Sequence, residues 1–543
     1  MARSAAFRSF ARLMAAAVLA DRRNCSANDA LGSLEEFAAT RSSRLISRRR
    51  FLAETAAIGT TLAFGTMFPR ESATAKATSP TLSVGIVGAG LAGLACADVL
   101  KSRGIRASIY EAGSRAGGRC WSLRGFFPGQ VAERGGELID TLHKTILGYA
   151  KRFHLALEDD RTQPGEIFYH FAGQRYAESA IVAEFRDFVS VMRNDLNRLS
   201  REVTADSHTP NDVELDRTNL LAYLGGQNTA GIPAGALAKA AIVTAYEAEY
   251  GLAASEQSCL NFLLFIHADR RSTFTPFGVF SDERYHLVDG NDRIIEGLTN
   301  ELPGQVDYGR RLVRVHRLTD GRIELTFLPN GARIHDIVVL AIPFTILREV
   351  ELDTSLAIPA DQLAAIQGLG YGTNAKMMMG FSGRPWQALG GNGTAYSNLT
   401  NLQTTWETNP SLASNARGIL TDYSSGPRVL RLDTTTIQLE AARFLDDLNL
   451  VYPGAREAAT RVNRKLLVHL EHWPSNPLMK GSYTCYKPGQ FTTMAGLEGV
   501  PVDNLFFAGE HTNSFYEWQG FMEGAALSGI TGARFILATA KVR

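Results

Sequence analysis

The chain has 543 residues, 45% of them hydrophobic and 20% charged, with a net charge of +1. That length exceeds one ordinary core and calls for two or three domains. The near-neutral balance supplies no basic stripe for nucleic acid, and no apolar run is long enough to span a bilayer.

Taken in chain order, the first feature is Ser47-Arg48-Arg49-Arg50-Phe51-Leu52, followed by a modestly apolar stretch from Ala56 to Phe68 and small residues at Ala73, Ala75 and Ala77. Paired arginines, an apolar region and an A-x-A site predict a twin-arginine export or transit segment over residues 1–77, hence a periplasmic or secreted protein. Without that segment the remainder is mildly acidic, with 44 Lys/Arg against 49 Asp/Glu. Its cysteines, Cys96, Cys120, Cys259 and Cys485, are scattered with no CxxC pair, so neither a metal site nor a disulfide framework is expected.

Val84-Gly85-Ile86-Val87 reads as a strand, Gly88-Ala89-Gly90-Leu91-Ala92-Gly93 as a GxGxxG turn opening a helix, and Ser108-Ile109-Tyr110-Glu111 as a second strand ending in an acid. Gly88 suits a tight turn, Gly90 close approach of a pyrophosphate to the helix N-terminus, and Gly93 close helix–strand packing. Glu111 is placed to accept from a ribose hydroxyl. Arg115-Ala116-Gly117-Gly118-Arg119 adds backbone N–H groups and guanidinium donors beside the same anion. Further on, residues 175–202 carry a helical pattern through Ile181, Phe185, Phe188, Val191 and Leu196, and Ala236 to Tyr250 a second one. His286 to Gly290 leads into a helix, Arg311 to His316 reads as a strand, and Gly390-Gly391-Asn392-Gly393 as a surface turn.

Together with Glu133-Arg134-Gly135-Gly136-Glu137, LFFAGEHT and QGFMEGAALSG, these motifs resemble the flavin-containing amine oxidases from about residue 82 to 540, and within them the bacterial L-amino-acid oxidases and dehydrogenases. The resemblance implies an α+β fold in which a Rossmann-like FAD-binding domain (82–145, 275–345 and 478–543) is interwoven with a substrate domain of mixed sheet and helices (146–274 and 346–477). It also implies FAD bound through Gly88, Ala89, Gly90, Gly93, Glu111, Arg119, Gly135, Gly136, Glu510 and Met522. Gly135 and Gly136 would let the chain pass close to the flavin, and Met522 would lie under its ring at a helix N-terminus. Ser482 stands where the monoamine oxidases carry the cysteine bonded to flavin, which implies noncovalent FAD.

In the same resemblance Lys376 holds a water near the flavin N5, and Tyr483 and Phe521 wall the substrate nitrogen. No metal is implied. The expected reaction is oxidation of an amino compound to an imine that water hydrolyses, with O2 giving H2O2, or a quinone, as electron acceptor. For an L-amino acid the products would be a 2-oxo acid and ammonium. A polyamine or monoamine oxidase is the alternative, a carbon–carbon desaturase or a nonenzymatic flavoprotein a more distant one, and a homodimer stays open. Many L-amino-acid oxidases have an arginine after the glycine pair, whereas this chain has Glu137-Leu138-Ile139-Asp140. Glu137 and Asp140 would place negative charge beside the pocket, which points to a basic L-amino acid such as arginine or lysine, or to a di- or polyamine.

Overall fold

The computed structural model describes residues 13, 16–17, 19–21, 24–33, 82–159, 164–267, 283–329, 331–408 and 417–542. The Ser47–Leu52 motif and the alanines at 73, 75 and 77 lie outside the described residues. The short described pieces before them pack on the body: Leu13, Ala16, Ala17, Ala20 and Ala30 are buried in the same apolar cluster as Phe185 and Val189. Arg193 pairs with Asp21, and Arg186 donates to the Asn24 side chain at 3.0 Å and to the Cys25 carbonyl. Cleavage after residue 77 would uncover this side of the Glu178–Arg198 helix.

The apolar run Val84–Val87 is buried along its whole length because it is the central strand of a five-stranded parallel sheet. The order is Leu505–Phe507, Ile337–Leu340, Val84–Val87, Ser108–Glu111, Val306–Tyr308, so remote stretches of chain complete one nucleotide-type sheet. The Leu91–Lys101 helix follows the GxGxxG turn, and the final helix, Met522–Val542, crosses it closely enough that a Cβ on Gly529 would sit 2.0 Å from the Ala92 carbonyl. A four-stranded sheet, built from Ala332–His335, Ile323–Leu328, Arg311–Arg317 and Glu351–Leu352, flanks this unit.

Contacts cross two of the expected boundaries, those after residues 145 and 345. Ile146, Tyr149 and Ala150 of the Lys144–Arg152 helix belong to the core of the parallel sheet, and Leu157–Asp159 pairs with Tyr285–Leu287. Likewise Glu351–Leu352 pairs with Arg314 and Val315. Hydrophobic partners far away in sequence decide both cases.

The second layer is a seven-stranded sheet: Val468–His472, Ala375–Phe381, Gly418–Ser424, Leu402–Glu407, Gly391–Leu399, Glu166–Phe171, Gln174–Tyr176. The Glu178–Arg198 and Ala236–Tyr250 helices cover the first of its apolar clusters, with Ile181, Phe185, Phe188, Val191 and Leu196 all buried. Gly390 is an exposed turn residue with φ +80°, but the expected surface turn ends there. Gly391 opens a buried strand, where its missing side chain leaves room for the Phe168 ring, and Gly393 packs on Glu407.

Alternation along Ala375–Phe381 sets the site. Side chains two apart share a face, and Met377, Met379 and Phe381 enter the cluster of Trp386, Phe444 and Leu448, so Lys376 points the other way, toward the nucleotide unit. A cation on the packed face has no partner there. Met379→Lys should therefore give no soluble folded protein, checked by yield and circular dichroism, whereas a methionine at position 376 should fold.

Candidate active site

A cleft with an empty volume of about 1700 Å³, counting the part open to solvent, runs from the first turn of the parallel sheet to the seven-stranded sheet. Its lining, from the glycine turn to Lys376, suits a dinucleotide with a substrate beyond it. Gly88 and Gly90 line one end, with Glu111, Gly117, Gly118 and Arg119; Lys376, Tyr483 and Phe521 line it farther on, with Glu137, Glu510 and Met522.

The glycines of the turn differ in what they accommodate. Gly88 has φ +104°, and an added Cβ would meet the Ala341 carbonyl at 2.5 Å; a Cβ on Gly93 would lie 2.0 Å from the Gly88 carbonyl. Both are required by the protein's own packing. Gly90 is not: its φ is −76°, and an added Cβ would meet nothing within 4 Å. An N-cap without a side chain, facing open cleft at a helix N-terminus, fits a pyrophosphate. Glu111 accepts from the Ala89 N–H at 2.9 Å and the Gly113 N–H at 2.7 Å, which fixes its carboxylate at the end of the second strand with acceptor capacity to spare for a hydroxyl.

Arg119 donates to Glu510 at 2.9 Å and to the Ser482 carbonyl, while Thr484 Oγ1 donates to the other Glu510 oxygen at 3.1 Å. These contacts tie the GGR segment to both C-terminal segments. Gly135 and Gly136 serve the protein more directly than expected. A Cβ on Gly135 would lie 1.8 Å from the Arg119 carbonyl, and one on Gly136 would lie 2.9 Å from Met522 Sδ. Their bareness seats Arg119 and Met522, and through them the cleft wall. The Ser482 hydroxyl donates to Asn374 Oδ1 at 2.6 Å, so no thiol stands at that position. His511 lines the cleft against Phe344 at 4.3 Å, and burial pushes its imidazole down to about 4, which keeps it neutral.

At the far end, Lys376 lies directly across from Tyr423 on one neighbouring strand and Glu471 on the other. Its Nζ donates to Glu137 Oε2 at 2.6 Å, the Gly135 carbonyl at 2.8 Å and the Glu133 carbonyl at 3.1 Å. Trp406 Nε1 donates to Glu137 Oε1 at 3.0 Å, and the Tyr423 and Tyr483 hydroxyls are 2.6 Å apart. Below the lysine, burial pushes the Glu133 carboxyl up to about 7 against the pull of the Asn291 N–H and the Ser122 hydroxyl.

The structure thus brings Lys376, Tyr483, Phe521 and Glu137 to one cavity. It does not bring Asp140 there. Asp140 is 1% exposed, does not line the cleft, and accepts from the Glu283 N–H while its own N–H meets His143. Trp406, Tyr423 and Glu283 also line the cavity, and no motif in the chain marks them. The faces of the first two become readable only once their strands are known to neighbour Lys376.

The chain matches the flavin containing amine oxidoreductase family over residues 91–537. It belongs to that family. As in its relatives, FAD is the cofactor of this flavoenzyme, and the cleft fits it. The L-amino-acid oxidase of Pseudechis australis is 22% identical over 462 residues, covering 84% of this chain and 87% of its own. YobN of Bacillus subtilis (strain 168) is 24% identical over 479 residues, covering 82% and 92%. Among solved structures, the cyclohexylamine oxidase of Brevibacterium oxydans IH-35A superposes with a TM-score of 0.72 at 18% identity, covering 85% of this chain and 100% of that one. A putrescine oxidase bound to putrescine gives 0.69 at 20% identity, covering 84% and 100%.

Gly90→Val should yield folded but colourless protein, because the branched side chain enters only the space left for the pyrophosphate. Gly93→Ala should fail to fold. Absorbance at 450 nm relative to 280 nm, with circular dichroism, reads both; a yellow Gly90→Val protein would contradict the placement.

Proposed function

We propose that the enzyme oxidatively deaminates an L-amino acid to a 2-oxo acid and ammonium, with O2 or a quinone as final acceptor. The observation that carries this reading is a buried lysine at the end of the FAD cleft, in a cavity walled by Tyr423, Tyr483, Trp406 and Phe521. FAD, when bound, supplies the two-electron acceptor for the hydride of the amine-bearing carbon. The protein's part is positioning: the rings exclude bulk water and orient the amine, and Lys376 anchors the polar end of the cavity. The resulting imine takes up water and splits into a carbonyl compound and ammonium.

A basic side chain loses the support expected from Glu137 and Asp140, since Glu137 is bound by Lys376 and Trp406 and Asp140 lies outside the cleft, which leaves Glu283 as an acid lining the cavity. An apolar or aromatic side chain fits the rings better. The second reading, an amine without a carboxylate, is favoured by the arginines of the cleft: among the described residues they are Arg119, Arg310 and Arg311, of which Arg119 is paired with Glu510, Arg310 with Asp307 and Arg311 with Glu349. The proposal also includes export by the twin-arginine route, supported by Ser47 to Leu52. Arg48→Lys with Arg49→Lys should leave the enzyme in the cytoplasm by fractionation, and normal export would reject that part.

Anaerobic bleaching of the flavin by leucine, phenylalanine, arginine and agmatine separates the readings. Leucine or phenylalanine supports the proposal, agmatine without the amino acids supports the second reading, and preference for arginine restores the basic one. Lys376→Met should keep FAD and fold but reduce its flavin about 10²-fold more slowly, the scale of losing a positioning group.

A further inference from the structure

We propose that Glu137 is the positioning residue and counter-ion of Lys376, and that the pair exists to give the amine a polar neighbour that leaves its protonation alone. The inference deepens the amine-oxidising reading of the same cavity and rests on it.

The geometry is complete on both sides. An ammonium has three donors, and those of Lys376 are directed at Glu137 Oε2, the Gly135 carbonyl and the Glu133 carbonyl. The carboxylate of Glu137 accepts from Lys376 with one oxygen and from Trp406 Nε1 with the other. Asn291 Nδ2 donates to the Glu137 and Gly136 carbonyls at 2.6 and 3.1 Å, so the backbone carrying the acid is itself held. Lys376 is 5% exposed and Glu137 8%, which makes either charge costly without the other.

The chemistry gives this pairing a purpose. An amine gives up hydride only as the free base, and an uncompensated carboxylate beside it would favour the ammonium form, while an uncompensated ammonium would favour the free base. Lys376 cancels Glu137, and the carboxylate oxygens, each holding one donor, keep acceptor capacity for a neighbouring N–H without adding net charge. The Trp406 and Tyr423 rings, centred 5.7 and 6.0 Å from Nζ, add attraction for the cation without adding charge. Other titratable groups facing Lys376 are already engaged. Glu471, on the adjacent strand, is held by Arg134; Tyr423 is bonded to Tyr483; and Glu133 is held by Ser122 and the Asn291 N–H.

The test is the pH profile of anaerobic flavin reduction in the holoenzyme and in Lys376→Met, Glu137→Gln and the double variant, using an amine that reduces the wild type. The acidic limb is assigned to the substrate by repeating it with a second substrate of different basicity. Lys376→Met bares the carboxylate and should move the limb up by about one pH unit or more; Glu137→Gln bares the ammonium and should move it down by a similar amount. The double variant should return it to within a few tenths of the wild type, and be thermally more stable with FAD bound than Lys376→Met alone. Single variants that shift the limb in the same direction or not at all, or a double variant that keeps a shift, would overturn the proposal. If no amine or amino acid bleaches the wild-type flavin, the functional reading fails instead. Thermal unfolding of the four holoproteins still reads the pair in that event, and a double variant no more stable than Lys376→Met then removes it as well.

Discussion

A buried ammonium must be answered, and in this protein the answer organises the cavity. Lys376 sits on a strand whose alternate residues are committed to a methionine-rich core, so its side chain can only face the nucleotide unit. There it draws in the carbonyls of Glu133 and Gly135 and the carboxylate of Glu137, all from the segment that follows the GGR motif. One lysine thereby couples the seven-stranded sheet to the wall of the FAD cleft. Loss of either charged partner leaves the other stranded in a site with little water, which is why breaking such a pair costs more than replacing it whole.

The same segment is clamped from its other side. Gly135 and Gly136 carry no side chains because the Arg119 backbone and Met522 occupy that space. Arg119 in turn reaches Glu510 and the Ser482 carbonyl. Strands and turns from both ends of the chain thus meet around the cleft, and its two ends share one set of contacts. The Gly90 turn contributes differently: it is shaped by absence, an open N-cap that only a ligand fills.

Much of the nucleotide half is legible in the chain because its signals are local. Strand, GxGxxG, helix and acid follow one another within residues 84–111, and the two long helices of the substrate half show their apolar spacing directly. What is not legible depends on neighbours remote in sequence. Glu137 reads as a free acid until Lys376, 239 positions away, is seen to hold it. Asp140 reads the same way until it proves buried behind the cleft. Trp406 and Tyr423 are ordinary strand residues whose roles follow from strand order, and Gly391 passes for a turn because nothing nearby in the chain announces Phe168.

FAD bound in this cleft would run from the Gly88–Gly90 turn to the Lys376–Glu137 pair. A crystal structure of the yellow holoenzyme tests it most directly. The pyrophosphate should lie against the N–H groups that follow Gly88, and the flavin ring before Lys376 with the lysine still bonded to Glu137. A flavin ring elsewhere, or a Lys376 turned away from Glu137 toward another partner, would contradict it.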